Sequence, residues 1–262
     1  MPRSGTSLTA AIFEKQGYFL SKTEKGELRQ GDEYNPLGYF EAETLIKANS
    51  RIFSRVGFNY DNTWLYEKIP PEKAKKILTL SPLHTDKKLV FEYQKTSPWL
   101  WKDPRLCYTL AYWSKLIDWD VTCVLLIKRS PADIYNSFLR LNWRRPSINS
   151  KNDVYQRVDE HIKFAEDIIK KSSIPCLTIN YQDFESNPKA LCLELNKYFG
   201  LQLDSSDIPY SKSYNHSGFK GKVSTALDVV ANSLPLPMVK LFKSLIPLKI
   251  LRWLFPERNF GS

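Results

Sequence analysis

The stretch Met1-Pro2-Arg3-Ser4-Gly5-Thr6-Ser7-Leu8-Thr9-Ala10 places a basic side chain, a glycine and two hydroxyl residues directly ahead of an apolar helical pattern. Gly5 permits a tight turn that brings the backbone close to a ligand. The free N–H groups at the start of the following helix point at the same spot and favour a negative charge. Arg3 and the hydroxyl side chains add further donors. The stretch therefore predicts an anion-binding loop, and the alternative is that Ser4 only caps the first helix.

This loop is not a Walker A sequence, which requires a second glycine and a lysine before the hydroxyl residue. Nucleoside triphosphates are therefore less favoured as ligands. A phosphate loop of this type normally follows a buried parallel strand, yet Met1 already lies in the loop, so a first strand is expected to be missing before Met1. A start codon assigned too late explains this better than a sheet without its central strand, because such a gap would leave backbone groups unsatisfied.

Two apolar, β-branched runs, 121–127 and 175–179, predict buried parallel strands. Helical patterns follow both of them, and the second helix is expected over 188–199, ended by a glycine. This alternation predicts an α/β fold with a central, mainly parallel sheet flanked by helices. The chain of 262 residues suits a single domain, with a core over 1–201 and a polar loop and basic amphipathic helices over 202–262.

Further helices are predicted from apolar periodicity and from capping residues. They cover about 6–15, the segment after Glu41, the segment opened by Pro70 and Pro71, about 104–116 with Asp103 as its cap, and 154–172. Residues 82–98 show no clear pattern.

Composition narrows the function classes. The chain has 38 Lys and Arg against 28 Asp and Glu, a net charge of +10, which favours an anionic partner. The basic residues are dispersed and form no recognisable nucleic-acid module, so nucleic acid is not the expected partner. No 18-residue uncharged apolar run and no secretory signal are visible, and the expected compartment is the cytoplasm. The cysteines form no C-x-x-C pair and are predicted to be reduced and buried: Cys107, Cys123, Cys176 and Cys192.

A second anion site is predicted after the first of the two strands, where Arg129 is followed eight residues later by Ser137. In an open α/β sheet, this site and the N-terminal loop would face the same crevice at the carboxyl ends of the strands. A ligand phosphorylated at two places would fit such a pair. The structural alternative is an Arg129–Asp133 ion pair with Ser137 as a small buried residue of the helix.

These motifs resemble those of sulfotransferases that use 3'-phosphoadenosine 5'-phosphosulfate (PAPS). The loop from Pro2 to Ser7 is similar to their 5'-phosphosulfate loop, and R-x-P-x-D-x-x-x-S-F from Arg129 is similar to their 3'-phosphate motif. The elements N-P-x-G-Y-F-E, K-D-P-R and Y-Q-D-F resemble those of bacterial members. The resemblance covers about residues 1–201. It implies a P-loop NTPase-like sulfotransferase fold, and it implies sulfuryl transfer to a hydroxyl or amine with adenosine 3',5'-bisphosphate (PAP) as product.

The resemblance also implies roles for individual residues. The 5'-phosphosulfate would be held by Arg3, Ser4, Gly5, Thr6 and Ser7, and the 3'-phosphate and adenine region by Arg129, Ser137 and Tyr181. Many relatives have lysine at the position of Arg3, and arginine can stabilise charge but cannot give up its proton. No metal is required, because fixed cations and N–H groups stabilise the developing charge.

Glu41 is the expected general base, since a positioned carboxylate can take the acceptor's proton and the histidines His84 and His161 lack a motif context. Lys102 would steady the sulfuryl oxygens. The alternatives are a helix-start carboxylate that serves only the helix dipole, a solvated lysine beside a capping Asp103, and, for Tyr181, an ordinary buried tyrosine.

Two other functions remain open: a P-loop small-molecule kinase and a non-enzymatic basic protein that binds anions or membranes. The acceptor of a sulfotransferase could be a small molecule, a glycan or a lipid, and the oligomeric state is open. Lys220 and Lys222 are only weakly predicted to reach the 3'-phosphate. The basic, leucine-rich tail over 236–255 could contact a membrane surface, although packing or capping is the preferred interpretation. Several aromatic residues could line an acceptor pocket or simply pack in the core: Tyr39, Phe40, Trp64, Trp99 and Trp101.

Overall fold

The computed structural model describes residues 2–22, 26–32, 35, 37–59, 69–140 and 151–210, together with a few positions between 223 and 250. This part of the chain is mixed α/β and mostly helical. Its elements in chain order are α1 (Thr6–Lys15), α2 (Glu43–Arg55), α3 (Pro71–Thr79), α4 (His84–Gln94), α5 (Leu106–Trp113), β1 (Val124–Lys128), α6 (Pro131–Arg140), α7 (Lys151–Lys171), β2 (Cys176–Asn180), α8 (Asp183–Ser186) and α9 (Pro188–Phe199).

The sheet of the described residues is small. β1 and β2 pair in parallel over their full five-residue length. A separate parallel bridge forms where the N–H of Phe19 donates to the carbonyl of Pro98 at 2.8 Å and the N–H of Leu100 donates back to Phe19, also at 2.8 Å. The α/β class and the parallel pairing of the two predicted strands are confirmed. A single central sheet flanked by helices is not confirmed, because the strands of the described residues form one two-stranded sheet.

The helices whose ends are marked by proline or glycine match their predicted bounds. α1 covers Thr6–Lys15, and α9 covers Pro188–Phe199, followed by its C-cap Gly200 in the left-handed conformation at φ 67°. β1 begins three residues later than predicted, since Val121 is 79% exposed rather than buried.

One helix was not predicted, and one predicted helix has different bounds. α4 lies in the segment 82–98, for which the sequence shows no clear pattern. The apolar period is hidden there because one of the buried residues of α4 is a carboxylate, Asp86. α5 begins at Leu106 rather than at Pro104 and ends at Trp113. The late start has a local cause: Asp103 Oδ1 accepts the backbone N–H of Arg105 at 2.9 Å, which holds this segment in a turn.

The chain divides into two compact units, Met1–Arg129 with Gln156–Pro209 and Ser130–Tyr155 with Tyr210–Ser262. In the first unit, α2, α3 and α5 bury a large apolar cluster. Its fully buried members are Ile52, Phe53, Ile77, Tyr112 and Trp113. A smaller cluster packs α1 against the segments around residues 20 and 40. In the second unit, α6 buries Ile134 and Phe138. The single domain predicted over 1–262 stays a prediction.

All four cysteines are free thiols, but only Cys192 is buried, so the prediction of burial is wrong for the other three. Cys123 precedes β1 and Cys176 begins β2, and a sheet of two strands leaves these positions partly in contact with solvent. Partial burial still raises the pKa of Cys123 to about 11. This thiol is therefore protonated at neutral pH.

Several predictions fall outside the described residues, namely those for Trp64, Lys220 and Lys222 and most of those for the tail over 236–255. Where the tail is described, Met238, Leu245 and Ile250 are exposed. In the described ranges, no helix combines the length and the apolar character that crossing a membrane requires.

Candidate functional site

The loop ahead of α1 turns through two residues with left-handed backbone, Arg3 at φ 65° and Gly5 at φ 97°. Gly5 is the N-cap, and its carbonyl accepts the N–H of Thr9 at 3.1 Å. The alternative that Ser4 is the N-cap residue is therefore wrong; Ser4 is buried in the loop instead. Because Gly5 has no side chain to cap them, the first N–H groups of α1, at Thr6 and Ser7, are suited to bind an anion.

Tyr181 lies directly beneath this loop. A Cβ atom on Gly5 would stand 2.2 Å from Cδ2 and 2.6 Å from Cε2 of the Tyr181 ring. The tyrosine follows β2, is buried, and donates its backbone N–H to the carbonyl of Lys128 at 2.7 Å. The ring thus holds the loop ahead of α1 at the carboxyl ends of the two paired strands. Only glycine fits at position 5.

Gly5→Ala is expected to destabilise the protein more than Gly17→Ala does. Both glycines have positive φ, but no described atom lies within 4 Å of a Cβ on Gly17. Alanine in a left-handed conformation costs about 1–2 kcal/mol, and overpacking against a buried ring adds about 1–3 kcal/mol. Thermal unfolding of both variants measures the difference, and equal losses would contradict the close contact with Tyr181.

Arg129, one residue beyond β1, reaches the same loop. Its Nη1 donates to the Arg3 carbonyl at 2.9 Å, and its guanidinium lies 4.0 Å from the centre of the Tyr181 ring. Its Nε is buried and donates to no described residue. Burial lowers the pKa of Arg3, and the neighbouring charge of Arg129 lowers it further. Two partly buried guanidinium groups placed together in this way favour the binding of an anion.

Ser137, the other residue predicted to hold a 3'-phosphate, is a buried residue of α6 in the second unit.

Glu41 lies in a short antiparallel pairing that precedes α2. The N–H of Arg29 donates to the Glu41 carbonyl at 2.9 Å, and the N–H of Glu43 donates to the Glu27 carbonyl at 2.7 Å. The N-cap of α2 is Ala42, and the acidic residue of its first turn is Glu43. The alternative role of Glu41 as a helix-start carboxylate is therefore wrong.

The Glu41 carboxylate is 1% exposed and forms an ion pair with Lys102, whose Nζ donates to Oε1 at 2.5 Å. The Lys102 side chain is only 8% exposed, so the alternative of a solvated lysine is also wrong. Oε2 accepts no hydrogen bond from the described residues. Burial raises the pKa of Glu41, and this effect exceeds the opposing one of Lys102. The carboxylate is thus a stronger base than an exposed glutamate.

A buried network fixes the segment that carries Lys102. Asp103 accepts hydrogen bonds from Asn49 at 2.8 Å and from the Arg105 guanidinium at 3.0 Å. Asn49 Oδ1 in turn accepts from Thr109 and from the indole of Trp113, both at 2.8 Å. Sequence reasoning missed Asn49; its only signal is a polar side chain on the apolar face of α2. This network links α2, α5 and the segment that carries Lys102 through buried hydrogen bonds, and it thereby helps to position Lys102.

Asn35 links the segment that carries Glu41 to the loop ahead of α1. Its Nδ2 donates to Ser7 Oγ at 3.0 Å and to the Gly38 carbonyl at 2.7 Å. The hydroxyl of Tyr39 donates to Asp32 at 2.7 Å in the same segment. Sequence reasoning did not assign a role to Asn35, although the N-P-x-G-Y-F-E motif contains it. These bonds tie the segment that ends at Glu41 to the first turn of α1.

The described aromatic residues that could line a pocket make packing contacts. Tyr39 and Phe40 are buried, and Trp99 and Trp101 pack edge to face at 5.3 Å. Trp101 also contacts the buried Trp113 at 4.9 Å.

His161 is buried beside Tyr108, and burial lowers its pKa to about 3. The described residues contain no group of three His, Cys, Asp or Glu side chains that could hold a metal ion. Comparison of the chain with protein-family models, with curated proteins and with solved structures found no match.

Proposed function

We propose that this chain is a sulfotransferase that moves the sulfuryl group of PAPS to a hydroxyl or amine of an acceptor. The supporting observation is the convergence of the Arg3 loop and Arg129 on the Tyr181 ring. A ligand with phosphates at both ends needs two cationic contacts within one nucleotide's length, and these two elements supply them. The proposal includes a P-loop NTPase-like sulfotransferase fold with a central, mainly parallel sheet.

In the donor site, the first N–H groups of α1 and the side chains of Arg3, Thr6 and Ser7 hold the 5'-phosphosulfate. Arg129 holds the 3'-phosphate, and its buried Nε, which has no partner among the described residues, is the donor that such a phosphate would satisfy. Ser137 keeps its assignment to the same phosphate from the sequence motif. The Tyr181 ring positions the Arg3 loop and the Arg129 guanidinium, and the adenine region of the donor stacks near the face of this ring.

In the transfer step, the acceptor oxygen attacks sulfur while the bond from sulfur to the bridging phosphate oxygen breaks. Glu41 takes the acceptor's proton at Oε2, and PAP leaves with the bonding electron pair. Arg3 and the N–H groups at the start of α1 stabilise the charge that develops on the bridging oxygen. Lys102 steadies the sulfuryl oxygens and keeps the Glu41 carboxylate in place.

Thermal unfolding with nucleotides tests the donor site. PAP at 100 times its Kd is expected to stabilise the protein by about 2.7 kcal/mol, while AMP and ATP with Mg²⁺ do so weakly because they lack the 3'-phosphate. Transfer of labelled sulfate from PAPS to a panel of phenols, sterols and glycans then tests the activity. A shift that requires Mg²⁺ and ATP would instead favour a kinase, and salt-sensitive vesicle binding without a PAP response would favour a non-enzymatic binding protein.

A further inference from the structure

The hydroxyl of Ser7 forms different hydrogen bonds from that of Thr9 in the same helix. Thr9 Oγ1 donates to the carbonyl four residues earlier, that of Gly5, at 3.2 Å, as serine and threonine commonly do within helices. The corresponding carbonyl for Ser7 is that of Arg3, which lies outside α1 and already accepts a hydrogen bond. Ser7 Oγ instead accepts a hydrogen bond from Asn35 Nδ2 at 3.0 Å, and it donates to no described residue. The described part of the chain therefore leaves the Ser7 hydroxyl proton without an acceptor.

The side-chain amide of Asn35 can take only one orientation. Its Nδ2 lies 2.7 Å from the carbonyl oxygen of Gly38. A carbonyl oxygen can only accept, so the nitrogen of the amide rather than its oxygen faces it. The second N–H of the same nitrogen then points at Ser7 Oγ. Because an N–H group can only donate, the serine oxygen accepts and its own proton points elsewhere.

The backbone around Asn35 fixes this amide before a ligand binds. The N–H of Asn35 donates to Asp32 Oδ1 at 3.0 Å, and the Asn35 carbonyl accepts the N–H of Gly38, also at 3.0 Å. A Cβ atom on Gly31 would lie 2.8 Å from the Asn35 carbonyl oxygen, so the chain packs closely against this turn. A donor that is held in this way needs no rearrangement when a charge arrives beside it.

We propose that Asn35 is a positioning residue of the donor site, which holds the Ser7 hydroxyl with its proton directed at the 5'-phosphosulfate of PAPS. This inference rests on the proposed function, because it adds a residue to that same site. Ser7 lies in the first turn of α1 and is only partly buried, so its proton and the first N–H groups of the helix can reach one anion. An N–H group that donates to a hydroxyl polarises it and strengthens the bond that the hydroxyl donates in turn.

Nucleotide binding to the full chain tests this inference, with calorimetry giving the Kd values of PAP and of adenosine 3'-monophosphate. The monophosphate lacks the 5'-phosphate and does not report on Ser7. Asn35→Ala is expected to weaken PAP binding about 2- to 10-fold, the effect of one neutral hydrogen bond, and to leave monophosphate binding unchanged. Ser7→Ala is expected to weaken PAP binding at least about tenfold, because its hydroxyl donates to a charged group. The control Gln30→Ala removes an exposed amide bond to the Leu28 carbonyl in the same segment and should keep both affinities.

A double-mutant cycle separates action through Ser7 from general support of the loop. In the Ser7→Ala background, Asn35→Ala is expected to cause no further loss of PAP affinity, whereas a purely structural role would give the same loss in both backgrounds. If Asn35→Ala does not fold, Asn35→Asp gives the same comparison. Aspartate keeps the shape of the side chain but offers Ser7 an acceptor, so the loss of PAP affinity should be larger in the parent protein than in Ser7→Ala.

Three outcomes overturn the inference: Asn35→Ala binds PAP as tightly as the parent protein does, it loses equal affinity for both nucleotides, or its loss of PAP affinity persists in Ser7→Ala. As long as the parent protein binds PAP more tightly than the monophosphate, these outcomes leave the proposed function intact. If the parent protein shows no such preference, the proposed function fails and the role of Asn35 fails with it.

Discussion

Replacing Glu41 with glutamine is expected to lower kcat for sulfuryl transfer by roughly 10²- to 10⁴-fold. The amide keeps the shape of the side chain but cannot accept the acceptor's proton. PAP affinity at the Arg3 loop should stay within about threefold, since Glu41 is not one of the residues proposed to hold PAP. Sulfate transfer from PAPS and PAP titration, measured on the same preparation, check both parts. A variant with full activity would exclude Glu41 as the base.

Glu41→Gln is also expected to lower the free energy of unfolding, and this effect must be separated from the loss of activity. Lys102 is 8% exposed and donates to Glu41, so Glu41→Gln leaves a buried ammonium group without its counter-ion. Breaking a buried ion pair from one side costs about 3–5 kcal/mol. The double variant Glu41→Gln/Lys102→Met removes both charges and should recover much of this loss while staying inactive. A recovered Tm without recovered activity separates catalysis from folding.

The raised pKa of Glu41 gives the reaction a defined pH dependence. Burial raises this pKa above its ordinary value of 4.5, and the base acts only when deprotonated. The acid limb of kcat should therefore lie above pH 4.5, with activity rising as the pH rises through it. Lys102 lowers the pKa of Glu41, so any activity left in Lys102→Met should show this limb at still higher pH.

The elements that the sequence predicts best have local signals at their ends. α9 begins at a proline and ends at a left-handed glycine, and α1 begins immediately after the turn at Gly5. α4 has no such signal at its ends, and its apolar face is interrupted by the buried Asp86. This carboxylate accepts hydrogen bonds from Arg51 and Tyr112. Those partners lie 35 and 26 residues away in the sequence, so no local pattern shows that the carboxylate can be buried.

The candidate site likewise combines residues that a sequence motif indicates with residues that only tertiary contacts bring to them. The motif ending in Glu41 indicates a reactive carboxylate, but its partner Lys102 lies 61 residues further along the chain. Arg29 belongs to no motif, and only the antiparallel pairing of the two segments brings it to Glu41. In the sequence, Asn49 is a polar residue that interrupts the apolar face of α2. Only the structure shows that Asp103 and Thr109 lie opposite it and form hydrogen bonds with it. Sequence patterns identify the reactive groups, and tertiary contacts supply their partners.

Replacing Arg129 with alanine is expected to weaken PAP binding at least about 100-fold, since hydrogen bonds to a charged group contribute about 1.5–3 kcal/mol each and a guanidinium can offer two to one phosphate. AMP lacks the 3'-phosphate and should bind the variant about as well as it binds the parent protein. The ratio of the two affinities, measured by calorimetry, should therefore fall to about one. The matched control is Lys128→Ala, which removes the neighbouring charge from an exposed ion pair with Glu166 and should leave the ratio unchanged.

The ligand-free protein should tolerate Arg129→Ala. The variant loses a hydrogen bond to the Arg3 carbonyl and the stacking on Tyr181, but it also removes the charge that lowers the pKa of Arg3. These effects oppose each other, so the Tm without ligand should change little while the PAP-induced rise is lost. This combination distinguishes a ligand contact from a structural one. An Arg129→Ala protein that unfolds at a much lower temperature yet still prefers PAP to AMP would show that Arg129 only supports the loop.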